Sequence, residues 1–365
     1  MSDCDFITDR KDHHLEFFPV NTDGNKETTV ISHRLEEELR KFESLWRSDD
    51  PFLYAATSGS TGTAKNIRLP KEGMINSAVM TCSFLKLPKA STALLCMPLK
   101  FIGAKMVVVR AMVASLKLAV VNPSSHPLEH LNFSPFFAAM TPAQVMNCFD
   151  NEHDYGILKG IRKLIIGGGP VTGALNEKIS SLENDVYSTY GMTETLSHIA
   201  LKQLCPVCQD NYHLFEGVDL SLSDRNTLII NAPGLGVYNL VTNDIAVIHE
   251  DRSFSILGRS DNTINSGGIK IQIEVAESIL AKTFKFDFAI TAVPDNILGQ
   301  KVVMLCTNRN TQKIKTECKE LLPKYWSPKN VIYAEAIPKT ATGKIARSEV
   351  KKLALTAVDT YGNIN

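Results

Sequence analysis

The chain has 365 residues, 39 basic against 39 acidic side chains and 44% apolar content, enough for two or three domains with a substantial core. The balanced charge excludes an overall field that would recruit nucleic acid or an anionic membrane, so any anion must be recognised by charges placed locally. Eight cysteines scattered along so long a chain read as reduced thiols.

The N-terminal Met1-Ser2-Asp3-Cys4-Asp5-Phe6 is acidic and lacks a hydrophobic leader, which makes the cytoplasm the expected location. His33 to Ser48 places Leu35, Leu39, Phe42, Leu45 and Trp46 at helical intervals, with Glu36, Glu37, Glu38, Arg40 and Lys41 largely opposite, and so predicts an amphipathic helix. A strand-like run, Phe52-Leu53-Tyr54-Ala55-Ala56, then enters Thr57-Ser58-Gly59-Ser60-Thr61-Gly62-Thr63-Ala64-Lys65. Two glycines permit a tight turn that presents N–H groups and hydroxyls to anionic oxygens, and Lys65 adds a cation. The alternative is an ordinary flexible turn. A Walker loop is disfavoured, because Gly62 stands apart from Lys65 and Asn66 follows the lysine.

The longest apolar stretch, Met106 to Val121, is interrupted by Arg110 and Lys117 and cannot span a bilayer without burying charge. From residue 52 to about 260, β-branched runs such as Ala93-Leu94-Leu95-Cys96-Met97 and Arg162-Lys163-Leu164-Ile165-Ile166 alternate with helical patterns. This predicts an α/β domain of layered sheets and helices. Its strand-end loops, Thr57–Lys65 and Gly167-Gly168-Gly169-Pro170 among them, can converge on one crevice. Cys205-Pro206-Val207-Cys208 is spaced like a zinc or redox pair and flanked by His198 and His213, but no second pair completes a site. Around Leu228-Ile229-Ile230 and Ile245-Ala246-Val247-Ile248 the strands lack intervening helices, which predicts an antiparallel, barrel-like subdomain. After Gly258 the pattern becomes that of a small α+β domain, with helices over Val275 to Lys282 and Thr311 to Leu321 and strands over Phe288 to Val293 and Lys301 to Thr307. The expected division is therefore 1–259 and 260–365, joined near Arg259-Ser260-Asp261.

Four motifs follow one another: Tyr190-Gly191-Met192-Thr193-Glu194-Thr195; Thr242-Asn243-Asp244; Gly258-Arg259-Ser260-Asp261-Asn262 with Ser266-Gly267-Gly268-Ile269-Lys270-Ile271; and Ile337-Pro338-Lys339-Thr340-Ala341-Thr342-Gly343-Lys344-Ile345. Together with the loop at Thr57, they give the chain a sequence that resembles the adenylate-forming superfamily of acyl-CoA ligases, nonribosomal adenylation domains and luciferases over roughly residues 52 to 350. The resemblance implies a carboxylate attacking the α-phosphate of ATP, release of pyrophosphate, and transfer of the acyl group to a thiol such as that of coenzyme A. It implies that Thr57, Ser58, Gly59, Ser60, Thr61, Gly62 and Lys65 hold the β- and γ-phosphates, that Thr193 touches the α-phosphate, and that Glu194 holds Mg²⁺, a hard cation suited to oxygen ligands. Gly167, Gly168, Gly169, Tyr190 and Gly191 would line the adenine site. Asp244 would accept from the ribose hydroxyls and Arg259 would lie near ribose and phosphate. Lys344 would bridge the carboxylate and the α-phosphate, and Asp261 would be the hinge of a mobile lid.

Among members of the superfamily the chain is short before its phosphate loop, and this, with Ser197-His198 after the Thr-Glu motif, resembles the o-succinylbenzoate-CoA ligases of menaquinone synthesis. That acid keeps a second carboxylate after activation, so its pocket should offer a cation or several donors beside apolar walls. Lys100, Ser197 and His198 are the candidates, with Thr141-Pro142-Ala143-Gln144 nearby by analogy. Lys100 stands where relatives often show histidine, and a solvated lysine is the equal alternative. Another aryl or fatty acid, a carrier-protein thiol, a kinase or ATPase, and a non-catalytic nucleotide-binding protein are the competing functions. The oligomeric state is open, a homodimer among the options; no nucleic-acid partner is expected.

Overall fold

The computed structural model describes residues 6–20, 31–56, 66–171, 173–340 and 343–362. In chain order, β1 (Phe17–Pro19) and α1 (His33–Arg47) precede a hairpin of β2 (Phe52–Ala56) and β3 (Asn66–Pro70). Next come α2 (Lys71–Leu85), β4 (Thr92–Leu95), α3 (Ile102–Val113), β5 (Lys117–Val120), β6 (Phe137–Met140), α4 (Pro142–Cys148), α5 (Glu152–Gly160), β7 (Lys163–Ile166) and α6 (Gly173–Ile179). A run of strands follows: β8 (Asp185–Met192), β9 (Ser197–Cys205), β10 (Tyr212–Leu214), β11 (Asp219–Leu222), β12 (Thr227–Ala232), β13 (Val237–Ile248) and β14 (Ser253–Arg259). The smaller C-terminal part holds β15 (Thr263–Ser266), β16 (Ile269–Gln272), α7 (Ile273–Ala281), β17 (Phe288–Asp295), β18 (Gly299–Cys306), α8 (Thr311–Leu321), β19 (Asn330–Tyr333) and α9 (Arg347–Gly362).

The large sheet runs β1-β5-β4-β6-β7-β8-β9-β10-β14-β13-β12-β11, parallel from β1 to β8 and antiparallel thereafter. The strands expected as an antiparallel, barrel-like portion thus continue the parallel part edge to edge. Alternate residues of β4 explain the layering: Ala93 and Leu95 pack with α1, α2 and α3, whereas Leu94 faces the cluster that contains Val145 of α4, Leu158 of α5 and Leu175 of α6. Both faces being covered, β4, β5, β6 and β7 are apolar beyond their first residues, as such sheets require.

Helix α1 begins at Ser32, whose side chain accepts from Leu35 N, and buries Leu35, Leu39, Phe42 and Trp46. Leu45, expected on that face, is instead 48% exposed. Its carbonyl oxygen has another use, accepting from the buried Lys71 Nζ at 2.6 Å. The second sheet packs on α7 and α8 through Ile264, Ile271, Ala276, Leu280, Met304 and Ile314. Among the described residues no helix is long and apolar enough to cross a membrane.

Chain order and strand order together set where a ligand can sit. After β4 the chain goes outward to β5 and returns to β6 on the other side of β4, so the carboxyl ends of β4 and β6 flank a topological switch point. The loops after β4, β6, β7 and β8 all leave the same edge of the parallel sheet, because those strands run in one direction.

Candidate active site

The loop after β7 is Gly167-Gly168-Gly169. A Cβ at Gly167 would lie 2.5 Å from Thr189 Oγ1 of β8, and Gly168 has φ 80°, so this loop is both close-packed and left-handed. A Cβ at Gly169 would stand 3.5 Å from Pro142 Cγ and 3.7 Å from Lys344 Cγ, while one at Gly343 would stand 3.5 Å from Ala143 Cβ. The turn bearing Lys344, at the far end of the chain, therefore lies against the loops that end β6 and β7. Thr141 caps α4 there with its side chain in a reciprocal pair with Gln144, and Gln144 Nε2 also donates to Cys96 O and Ser124 O, tying the β4 and β6 loops together.

Charged groups meet beside this seam. Tyr190 Oη donates to Asp244 Oδ2 at 2.7 Å, and Arg259 Nη1 contacts Asp244 Oδ1 at 3.3 Å. Arg259 also grips Asp261 through Nε at 2.9 Å and Nη2 at 2.8 Å, a planar fork on both carboxylate oxygens. That fork holds the Asp261 carboxyl below its ordinary range. Burial first, and the Asp244 carboxylate second, push the Tyr190 phenol up, so it stays a neutral donor. The Tyr190 ring packs edge-on against Phe254 at 5.1 Å and near Tyr212 at 5.9 Å. Lys344 is held below the ordinary lysine value, chiefly by desolvation and then by Arg259, with Asp244 opposing. Its surface is nonetheless open to solvent, as expected of a side chain in a cleft.

The β8–β9 turn carries Thr193 and Glu194. Among the described residues the exposed Glu194 carboxylate is in no hydrogen bond or ion pair, leaving its oxygens available to a ligand. Gly191, opposite His198 at an irregularity in the β8–β9 pairing, comes so near that a Cβ would lie 2.1 Å from Ser197 O. No larger residue fits without separating the strands.

Behind that turn lies a buried polar chain. Arg110 of α3 is 1% exposed and donates from Nη2 to Ser197 Oγ at 3.0 Å. Ser197 Oγ is 3.2 Å from His198 Nδ1, and His198 Nε2 is 3.0 Å from Thr81 Oγ1, which donates to Ser77 O. The last bond commits the Thr81 hydrogen, so His198 Nε2–H must donate to Thr81 and Nδ1 must accept from Ser197. His198 is consequently neutral, and desolvation followed by the Arg110 charge holds it well below the ordinary histidine range.

The structure thus brings together Gly167, Gly168, Gly169, Tyr190, Gly191, Asp244, Arg259, Asp261 and Lys344, and joins Ser197 to His198 beside Thr193 and Glu194. Lys100 stands apart from that chain, exposed with Nζ 5.1 Å from the Phe101 ring centroid. Thr57, Ser58, Gly59, Ser60, Thr61, Gly62 and Lys65 lie outside the described residues, although the flanking Ala56 and Asn66 pair directly. Cys205 donates to Leu182 O, whereas Cys208 is exposed; no group of three or more His, Cys, Asp or Glu residues suited to a metal occurs among the described residues. Sequence reasoning missed the buried polar chain that Arg110 begins. The available signal was an arginine inside an otherwise apolar helix, read only as a bar to membrane insertion.

Residues 8–227 match the AMP-binding enzyme family and residues 274–344 the AMP-binding enzyme C-terminal domain. The chain is 24% identical to the 2-succinylbenzoate–CoA ligase of Bacillus cereus (strain AH820), over 97% of this chain and 78% of that protein. Among solved structures it is similar to an acyl-CoA synthetase (AMP-forming)/AMP-acid ligase II-like protein from Dyadobacter fermentans DSM 18053, at 32% identity and TM-score 0.61, covering 89% of this chain and 96% of the other. It shares its fold with the o-succinylbenzoate coenzyme A synthetase from Bacillus subtilis in complex with ATP and magnesium ion, at 18% identity and TM-score 0.69, covering 81% and 69%.

Proposed function

The chain belongs to the AMP-binding enzyme family, and from that premise we propose that it is an ATP-dependent acid–CoA ligase, AMP-forming, whose acid is o-succinylbenzoate. In the first step a carboxylate oxygen attacks the α-phosphorus of ATP and pyrophosphate leaves. In the second, the coenzyme A thiol attacks the acyl carbonyl and AMP leaves. The observation that carries this reading is Lys344 seated against Gly169, beside Asp244 and Arg259. A cation from the C-terminal part stands where a carboxylate and a phosphate would bring negative charge together.

Each residue has a share in that chemistry. Asp244 has an oxygen toward Tyr190 and one toward Arg259, with lone pairs left for two ribose hydroxyls. The open Gly167–Gly169 backbone and the Tyr190 ring suit a flat base. Lys344 and Thr193 would stabilise charge on the α-phosphoryl oxygens, and the loop Thr57–Lys65 would take the other two phosphates. The Glu194 carboxylate, unpartnered among the described residues, is the right hard oxygen donor for Mg²⁺, which uses few protein carboxylates and takes the remainder from phosphate and water. That ion would neutralise developing phosphate charge. Residues 1–259 and 260–365 would act as two bodies hinged at Asp261, so that Lys344 withdraws before the thiol step.

Pyrophosphate release measured across a panel of carboxylic acids containing o-succinylbenzoate, with and without coenzyme A, tests the reading. Release that depends on o-succinylbenzoate, with thioester formed only when coenzyme A is added, is the expected result. Turnover only with other aryl or fatty acids would overturn the choice of acid, and ATP hydrolysis without any acid would overturn the ligase reading.

A further inference from the structure

Leu196 has a backbone conformation that its side chain disfavours. Its φ is 61°, in the left-handed region where a Cβ crowds the following carbonyl and glycine or asparagine is usual. Lys86, Asn226, Asn239 and Arg252 share this conformation and are exposed, whereas Leu196 is 2% exposed, the one buried example among the described non-glycine residues. Such a conformation persists only where the surroundings determine it, and beside a functional site it points to a role there. Leu196 closes the turn that presents Thr193 and Glu194.

Two sets of contacts hold that turn. From inside, Thr195 is 0% exposed and bridges the two strand ends, its Oγ1 accepting from Met192 N at 2.9 Å and donating to Ser197 O at 2.7 Å. From behind, the Leu196 side chain meets α2 where that helix has no side chain: a Cβ at Gly73 would lie 2.7 Å from Leu196 Cδ1 and 2.8 Å from Leu235 O. The start of α2 is itself fixed, by Lys71 Nζ on Leu45 O and Ser48 O and by Asn76 Nδ2 on Gly234 O at 2.7 Å. Helix α2 begins directly after β3, the second strand of the hairpin whose connection includes Thr57–Lys65. A wedge one leucine thick thus spaces the Thr193–Glu194 turn from that hairpin. We propose that Thr195 and Leu196 are positioning residues that set Thr193 and Glu194 at a fixed distance from the start of α2, so that the two phosphate-handling elements stand in register before MgATP binds. This rests on the acid–CoA ligase reading and names the residues that preorganise its nucleotide grip. Neither side chain touches substrate, the Thr195 hydroxyl being spent on backbone and Leu196 on α2. Their effect is to remove the reordering that a loose turn would undergo as the ion and the triphosphate arrive.

The test measures ATP binding to the full-length chain by titration calorimetry, with and without Mg²⁺, and compares pyrophosphate release with thioester formation from preformed acyl-adenylate. In Thr195→Val, which keeps the shape and loses the hydroxyl, MgATP affinity should fall about tenfold and kcat/KM for pyrophosphate release about 10- to 100-fold, the scale of a misplaced catalytic group. ATP affinity without Mg²⁺ and the thioester step should stay within about threefold of wild type, and Thr195→Ser should restore both losses. Equal losses in both steps, or with and without Mg²⁺, would mark a residue that only supports the fold and would overturn the proposal. Leu196→Gly separates positioning from strain, because it relieves the left-handed backbone while removing the wedge. Weaker MgATP binding by a folded Leu196→Gly protein, judged by its melting temperature, supports the proposal, and wild-type binding overturns it. The same variant gives the answer should Thr195→Val not fold. Should no acid be activated at all, the ligase reading fails separately and calorimetry still reads the turn: a Mg²⁺-dependent difference between wild type and Leu196→Gly supports the positioning role, and its absence overturns it.

Discussion

Beside the turn that bears Lys344, Asp244, Arg259 and Asp261 form a continuous set of partnered charges within reach of solvent, whereas behind the β8–β9 turn Arg110 is 1% exposed and, among the described residues, pairs with no carboxylate. The first set is complete before any ligand arrives. With two carboxylates sharing one guanidinium, it carries a net negative charge. The second is incomplete by one negative charge, built into the core where solvent cannot supply it. A ligand that meets the first exchanges one set of hydrogen bonds for another.

The largest test of that contrast is Lys344→Ala. Adenylate formation should fall by about 100- to 1000-fold, the loss seen on removing one preorganised charge-stabilising donor. Thioester formation from preformed acyl-adenylate should stay within a few-fold, and equal losses in both steps would refute the role. Gly191→Ala comes next. It forces a Cβ into Ser197 O and should cost about 1–3 kcal/mol by overpacking. Because Gly191 follows Tyr190 and opposes His198, KM should rise for both ATP and the acid; a change on one side alone would show that the two are independent. A smaller, one-sided effect is expected of Asp244→Asn, about tenfold in KM for ATP with the preference between acids intact. The smallest is a pH effect. Lys344 acts when protonated, and its lowered pKa means the proton leaves earlier as pH rises, so the alkaline limb of adenylation should lie below that of an ordinary lysine. Arg259→Gln removes a charge that lowers this value and should move the limb upward in a pH–rate profile.

That Tyr190, Asp244, Arg259 and Lys344 would come together was legible in the sequence because they sit in short motifs whose order is itself informative. Each was ambiguous alone, and their shared order makes them candidates for one site. The alternation of strands and helices from β4 to α6 was legible for another reason, since β4, β5, β6 and β7 are apolar on both faces beyond their first residues. Arg110 was not, because its meaning depends on Ser197 and His198, far away along the chain and joined to it only through the packing of α3 on β9. Nor did helical spacing foresee that Leu45 would remain in solvent, its backbone serving Lys71 while its side chain found no partner layer. His198 was read as a donor for substrate, and only the bond from Thr81 to Ser77 O reveals which way its hydrogens point.

Those hydrogens run one way, from Arg110 through Ser197 to His198, and from His198 through Thr81 to Ser77 O. Protonating His198 would require the Ser197 hydroxyl to turn away and would set two cations side by side in a dry interior. The histidine thus resists acid while the arginine keeps its proton until the surroundings become strongly alkaline. Across the whole span between, this buried chain carries one unit of positive charge that does not vary.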